Sequence, residues 1–378
     1  MNSRERVLAA IAHKEADRVP VDFGGSLATS LHTQGYAKLK KYLNMNLDKE
    51  IKVARGRAQL AAIDYDLQDT LGVDCRMLLV KAPDGWINSD DHSDILVDEF
   101  GMEWKKYEDI GSYETVSSPL FGPEVTVETV KNMKWPDPGD TSFLAGAREK
   151  AEQIRKSTDK AIIANLALQI NTQSNKLRGF EDYLADMIGN PALIESIMDR
   201  VTELYIERAK AILKEVGDFV DIVYVGDDLG TQIGPMFSLN TYRKLLKPRQ
   251  KKLFEVIKSA ADVKIFYHSC GACSVFIDDL AEIGIDILNP VQVSAAGMDT
   301  KELKKKYGDK VCFWGAVDTQ RVLPFGTVAE VKDEVKRRIE DLAPGGGYVC
   351  ASVHNLRPEV PPENILAMIE AAKEYGVY

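Results

Sequence analysis

The chain has 378 residues, 45% of them hydrophobic and 28% charged, a balance that suits one large buried core and excludes a disordered polypeptide. Its 48 basic and 58 acidic side chains leave a net charge of −10, which argues against nucleic acid or an anionic membrane as a partner. The 5 cysteines are Cys75, Cys270, Cys273, Cys312 and Cys350. With no secretory signal and no apolar run near the roughly 18 residues of a membrane span, they read as reduced thiols in a cytoplasmic protein.

In chain order, MNSRERVLAAIAHKEADRVP places charges between periodic apolar positions and predicts an amphipathic N-terminal helix. RVPVDFGG and CRMLLVKAP follow as apolar runs of strand length. A stretch near residues 86–138 breaks the rhythm, with alternation in ILVDEFGMEWKKYE and a Pro-rich turn at WPDPGD, and predicts a β-rich insertion near the mouth of the fold. From about residue 160 the runs AIIANLAL, DIVYVGDD, VKIFYHSC, IDILNPVQ, VCFWGAV and YVCASVH alternate with amphipathic helical patterns. Continuous apolar strands of this kind are buried on both faces, as in a parallel sheet. Eight strand-then-helix units predict an α/β fold, a (β/α)8 TIM barrel, as one domain over residues 1–378.

Active sites in this fold sit on the loops after the C-terminal ends of the strands. His268 and Cys270 close one such strand, and residues two apart on a strand point the same way. An imidazole and a soft thiolate there suit Zn²⁺, with a third donor from the last strand, where Cys350 and His354 both qualify. Three protein ligands would leave the open position that catalysis requires. Asp227 is expected to face the cavity and Asp228 to cap the following turn, while Asp318 has both readings. Asn289, Gln292 and Trp314 also stand at strand exits, and with Asp228 they are expected to bind substrate. Cys273 and Cys312 are assigned to a helix start and a strand interior. His13 and His92 are expected at the surface. The GGG at Gly345 to Gly347 lacks any phosphate-loop spacing and reads as a turn.

The motifs RERVLAAIAHKEADRVPVDFGG, VGDDLGTQIGP, YHSCG, DILNPVQVSAAGMDTKELKKKYGD, FWGAVDTQ and VHNLRPEVPPENI resemble the uroporphyrinogen decarboxylase superfamily, and within it the cobalamin-dependent methyltransferase branch. The resemblance covers essentially the whole chain and implies the same barrel. True decarboxylases of this family carry an Arg-Gln-Ala-Gly-Arg segment after the first strand. Here that place reads Asp22-Phe23-Gly24-Gly25-Ser26, without arginine, which argues against a four-pyrrole polycarboxylate substrate. The methyltransferase branch implies zinc ligands at His268, Cys270 and Cys350; counted back from Pro361-Pro362-Glu363-Asn364, the distant ligand falls nearer His354, so the third ligand stays open. A related group that demethylates aryl methyl ethers is imitated in spacing by Asp318, Asp333 and His354.

These features lead to the expectation of a zinc-dependent methyltransferase. It would move a methyl group between a small methylated substrate, or a thiol or folate acceptor, and a corrinoid on a partner protein. Asp227, Asp318 and His354 would serve catalysis. The alternative is a cofactor-free decarboxylase using Asp227 or Asp318.

Overall fold

The N-terminal helix expected from the sequence is present at Ser3–Ile11 in the computed structural model, which describes residues 1–46, 50–80, 95–107 and 112–378. A capping box starts it: the Asn2 side chain accepts from the Glu5 amide, and the Glu5 carboxylate accepts from the Asn2 amide. Val7, Ala10 and Ile11 on its inner face are buried against the interior of the strand ring. Its backbone bonds to Asp159 and Gly347, each just before a strand, so the helix stoppers the N-terminal end of the barrel.

Strands β1 (Val53–Arg55) and β2 (Leu60–Ala61) form a short antiparallel hairpin. Strand β3 (Cys75–Leu79) begins the main sheet. Strands β4 (Ile95–Val97), β5 (Glu103–Tyr107) and β6 (Ser112–Ser117) make a separate antiparallel sheet, the expected β-rich insertion. The start assigned to it near Trp86, like His92, lies outside the described residues. Strands β7 (Ala161–Asn165), β8 (Ile222–Gly226), β9 (Lys264–His268), β10 (Ile287–Asn289), β11 (Cys312–Val317) and β12 (Tyr348–Ser352) complete a seven-stranded parallel sheet ordered β12-β11-β10-β9-β8-β7-β3. Helices connect consecutive strands and cover the outer face, among them Pro191–Val216, Lys247–Ala260 and Val328–Leu342.

The eighth element, expected at RVPVDFGG, is reduced to a bridge. Cys350 N donates to Pro20 O and Asp22 N to Cys350 O, while Asp74 N donates to Val21 O, so residues 19–23 close the ring between β12 and β3. Pro20 has no N–H to give, and the Val21 amide donates to the buried Asp74 carboxylate instead of a strand carbonyl. No ladder can therefore run along this segment.

Both faces of the sheet are buried, which is why its strands read as unbroken apolar runs. Met77, Ile163, Tyr224, Phe266, Trp314 and Ala351 point into the ring. The rings of Tyr224 and Phe266 lie 5.5 Å apart and those of Phe266 and Trp314 5.0 Å apart, a tilted aromatic row across the interior. Val223, Val225, Tyr267, Phe313 and Cys350 face the helices. His13, expected at the surface, is half-buried beside Gly347.

Candidate metal centre

Four strands meet where β8 ends at Gly226, β9 at His268, β10 at Asn289 and β12 at Ser352. Register sets Gly226 and Asn289 on either side of His268. A Cβ on Gly226 would stand 2.7 Å from the His268 Cβ, so only glycine leaves room for an inward imidazole here. The loops after β8 and β9 touch at Gly230 and Gly271, where a Cβ on Gly271 (φ +82°) would stand 2.4 Å from the Gly230 carbonyl. That approach holds Cys270, next in the chain, over the end of β9.

The hydrogen bonds fix the state of His268. Trp314 O can only accept, so the Asn289 side-chain amide donates to it at 3.1 Å and turns its Oδ1 towards His268 Nδ1, 2.7 Å away. Nδ1 therefore carries the proton and Nε2 offers a lone pair. Nε2 faces Cys270 Sγ at 3.3 Å and the Asp228 Oδ1 at 3.7 Å. Asp228 Oδ1 also accepts from the Cys270 amide at 2.9 Å. The His354 ring lies edge-on to His268 with centroids 5.5 Å apart.

His268, Cys270 and His354 thus bring one donor atom each to within 4.8 Å of one another, the one such group of His, Cys and acidic side chains among the described residues. Burial, and then the neighbouring His268 imidazole, beside which a second positive charge is disfavoured, holds His354 down at about 4, so it is a neutral donor at physiological pH. Burial, and then the Asp228 carboxylate, pushes the Cys270 thiol well up. Two imidazoles, one thiol and a neighbouring carboxylate, converging without a cation among them, form the donor set that Zn²⁺ suits. Bound zinc would reverse the shift on the thiol.

Cys350 is not part of this group. It faces outward from β12 into the helix layer beside Tyr348, where burial pushes its thiol up to about 12. Of the two aspartates after β8, the one expected to face the cavity does not. Asp227 turns outward and is fully enclosed, its Oδ1 accepting from the Thr172 amide at 2.9 Å and its Oδ2 from Gln250 at 3.0 Å. Burial raises its carboxyl to about 8. Asp228 is the acid beside the donor group.

Asp318 caps its own turn, with Oδ1 accepting from the Gln320 and Arg321 amides. Trp314 is buried inside the ring and donates from Nε1 to Asp22. Gln292 accepts from the Gly271 amide at 2.8 Å and so braces the loop carrying Cys270. Asp333 is exposed on helix Val328–Leu342. Cys273 precedes a short turn of helix and Cys312 lies within β11, as assigned.

Sequence reasoning missed Tyr224 and Arg55. Tyr224 shares the inward face of β8 with Gly226, and its ring stands 6.0 Å from that of His268. That parity was readable once His268 was placed opposite Gly226. Arg55, at the end of β1, acts electrostatically on both Tyr224 and His354. No motif marks it.

The uroporphyrinogen decarboxylase (URO-D) family model matches residues 108–375. Among curated proteins, the methylcobamide:CoM methyltransferase MtaA of Methanosarcina barkeri is 28% identical over 204 residues, 54% of this chain and 56% of that protein. The chain thus spans little more than half the length of this relative. A uroporphyrinogen decarboxylase of Hydrogenovibrio crunogenus is 24% identical over 75% of this chain and 77% of its own. A solved methyltransferase from Methanosarcina mazei superposes over 99% of both chains with a TM-score of 0.68 at 20% identity, which establishes the shared fold. No helix among the described residues is long and apolar enough to cross a membrane.

Proposed function

Because the chain belongs to the uroporphyrinogen decarboxylase family, we propose that it is a zinc-dependent methyltransferase, moving a methyl group between a corrinoid on a separate protein and a small molecule held at His268, Cys270 and His354. The observation that carries this reading is the convergence of those three donors at the C-terminal mouth of the barrel, with Asn289 fixing the His268 tautomer. When bound there, Zn²⁺ supplies a Lewis acid able to activate a thiol or polarise the heteroatom bearing the methyl group. The relative from Methanosarcina barkeri is named for methyl transfer between a methylcobamide and CoM, which supports the class of reaction. The sequence holds no Asp-x-His-x-x-Gly segment for a corrinoid, so the cofactor is expected on a partner.

The residues of this chain divide the work. His268 keeps its proton on Nδ1 and presents Nε2, and His354 stays neutral beside it. Asp228, partly open to solvent, stands close enough to take a proton given up by an incoming thiol and pass it to water. Gln292 braces the loop carrying Cys270, while Tyr224, Phe266 and Trp314 pack in the interior of the ring.

A cofactor-free decarboxylase is the second reading, favoured by the longer match to the Hydrogenovibrio crunogenus enzyme. Against it, Asp227 is sealed behind Thr172 and Gln250, and Asp318 is occupied by its own turn. The test is anaerobic methyl transfer between methylcobalamin and small thiols, followed by the visible spectrum of the corrinoid. Turnover should vanish on chelation, return with Zn²⁺, and be absent from His268→Ala and Cys270→Ala, with circular dichroism unchanged. Turnover that survives metal removal would contradict the proposal.

A further inference from the structure

Residues 166–169 lead from β7 to helix Ile170–Arg178, which starts without a cap of its own, because Gln169 gives no side-chain bond to the first turn. The cap comes from the exit of β8. Asp227 accepts the Thr172 amide at 2.9 Å through Oδ1, and through Oδ2 it accepts from Gln250 at 3.0 Å. Gln250 is fixed in turn, donating to the Tyr267 hydroxyl at 2.8 Å and accepting from Tyr242 at 2.9 Å. The first turn of the helix then reaches back to the next residue of the strand exit. The Asp228 backbone carbonyl can only accept, so the Asn171 amide donates to it at 3.0 Å and leaves its Oδ1 to the Tyr183 hydroxyl at 2.6 Å. On the other side of Asp228, the Leu229 amide donates to Ser269 Oγ at 3.1 Å. Asn171, Asp227, Gln250 and Ser269 are all buried, and both side-chain oxygens of Asp227 are met by neutral N–H groups. An enclosed carboxyl without a cation burdens the fold in a way that an apolar side chain of similar size would not. Capping explains the Thr172 bond alone; the return bond from Asn171 fixes residue 228.

We propose that Asn171 and Asp227 are positioning residues for the donor group: they hold the Asp228 carboxylate against the Cys270 amide, and so Cys270 Sγ beside His268 Nε2. Neither is itself one of the donors. The last two links are the 2.9 Å bond from the Cys270 amide to Asp228 Oδ1 and the 3.3 Å approach of Sγ to Nε2. The start of the helix after β7 thereby sets the place of a thiol carried on the loop after β9. The inference rests on the zinc-site reading proposed above and names what orients its thiol side. Asn289 supports His268 and Asp228 supports Cys270, so each of these two donors has its own outer partner.

The experiment titrates full-length protein with Co²⁺, whose absorption reports a bound thiolate, and compares single variants with the same changes made in an Asp228→Ala background. Asn171→Leu should weaken Co²⁺ binding about tenfold, and Asp228→Ala by a similar factor. Together they should weaken it no more than Asp228→Ala alone, because Asn171 acts through Asp228. Tyr183→Phe removes a single hydroxyl and frees the Asn171 amide to turn; it keeps the test open should Asn171→Leu fail to fold, and should weaken Co²⁺ roughly threefold with the same dependence on Asp228. Asp227→Asn, which retains one acceptor oxygen, should fall between the parent and Asn171→Leu. A merely structural role would lower the melting temperature and leave the Co²⁺ affinity of the folded protein where it was. Unchanged affinity in the folded single variants, or losses that multiply in full in the Asp228→Ala background, overturns the positioning role while leaving the metal centre standing. A parent that binds no Co²⁺ removes the zinc-site reading and this inference with it.

Discussion

Asn289 acts on the donor group without belonging to it. Its Nδ2 is committed to Trp314 O, so its Oδ1 orients His268 and fixes which nitrogen is free. Asn289→Ala should leave the donors in place yet weaken zinc binding about 10- to 100-fold, measured by competition with a chromophoric chelator. Unchanged affinity would mean that the neighbouring strands alone orient His268. Two enclosed carboxyls outside the donor group bear on pH instead. Burial raises Asp227 to about 8 and Asp22 to about 6, from an ordinary value of 3.8. The folded chain therefore holds protons that the unfolded chain releases, and their contribution to stability, full below about pH 3.8, is lost as pH rises towards 8. The melting temperature should fall from pH 5 to pH 8, and by less in Asp227→Asn. A variant with the same slope as the parent would place the cause elsewhere.

At the scale of elements, strands β8 and β12 show where sequence reading stops. The runs DIVYVGDD and YVCASVH are apolar on both faces, so no alternation says which residues look inward. Asp227 and Asp228 could only be told apart once Tyr224 and Gly226 were seen on the inner face, and the same parity sends Cys350 outward. His268 and Cys270 were legible because two donors two apart at the end of one strand share a side whichever side that is. The insertion was legible as an element because its alternation marks one-sided strands, but its anchor was not. Glu99, between β4 and β5, forms a buried ion pair with Arg208 of helix Pro191–Val216. Glu99→Ala would leave that guanidinium uncompensated and should cost about 3 kcal/mol of stability in urea unfolding. A loss well under 1 kcal/mol would show that the apolar contacts of Leu96, Phe100 and Trp104 hold the sheet by themselves.

For the whole molecule, the count of strand and helix units carried the barrel, and the one strand that departs from it does so at a proline. Pro20 and the Asp74 side chain convert the closing strand into a bridge, so the ring is completed by few backbone hydrogen bonds at that seam. The chemistry gathers across the ring, at the ends of β8, β9, β10 and β12. The choice between Cys350 and His354 was beyond the sequence, because it depends on the chain leaving β12 and turning back over the mouth. That choice is also the most direct test of the account. Zinc per chain should be measured by elemental analysis in the parent, His354→Ala and Cys350→Ser, each purified without chelator or affinity metal. About one zinc in the parent and in Cys350→Ser, with almost none in His354→Ala, is the expected result; a full complement in His354→Ala, or zinc absent from the parent, would contradict it.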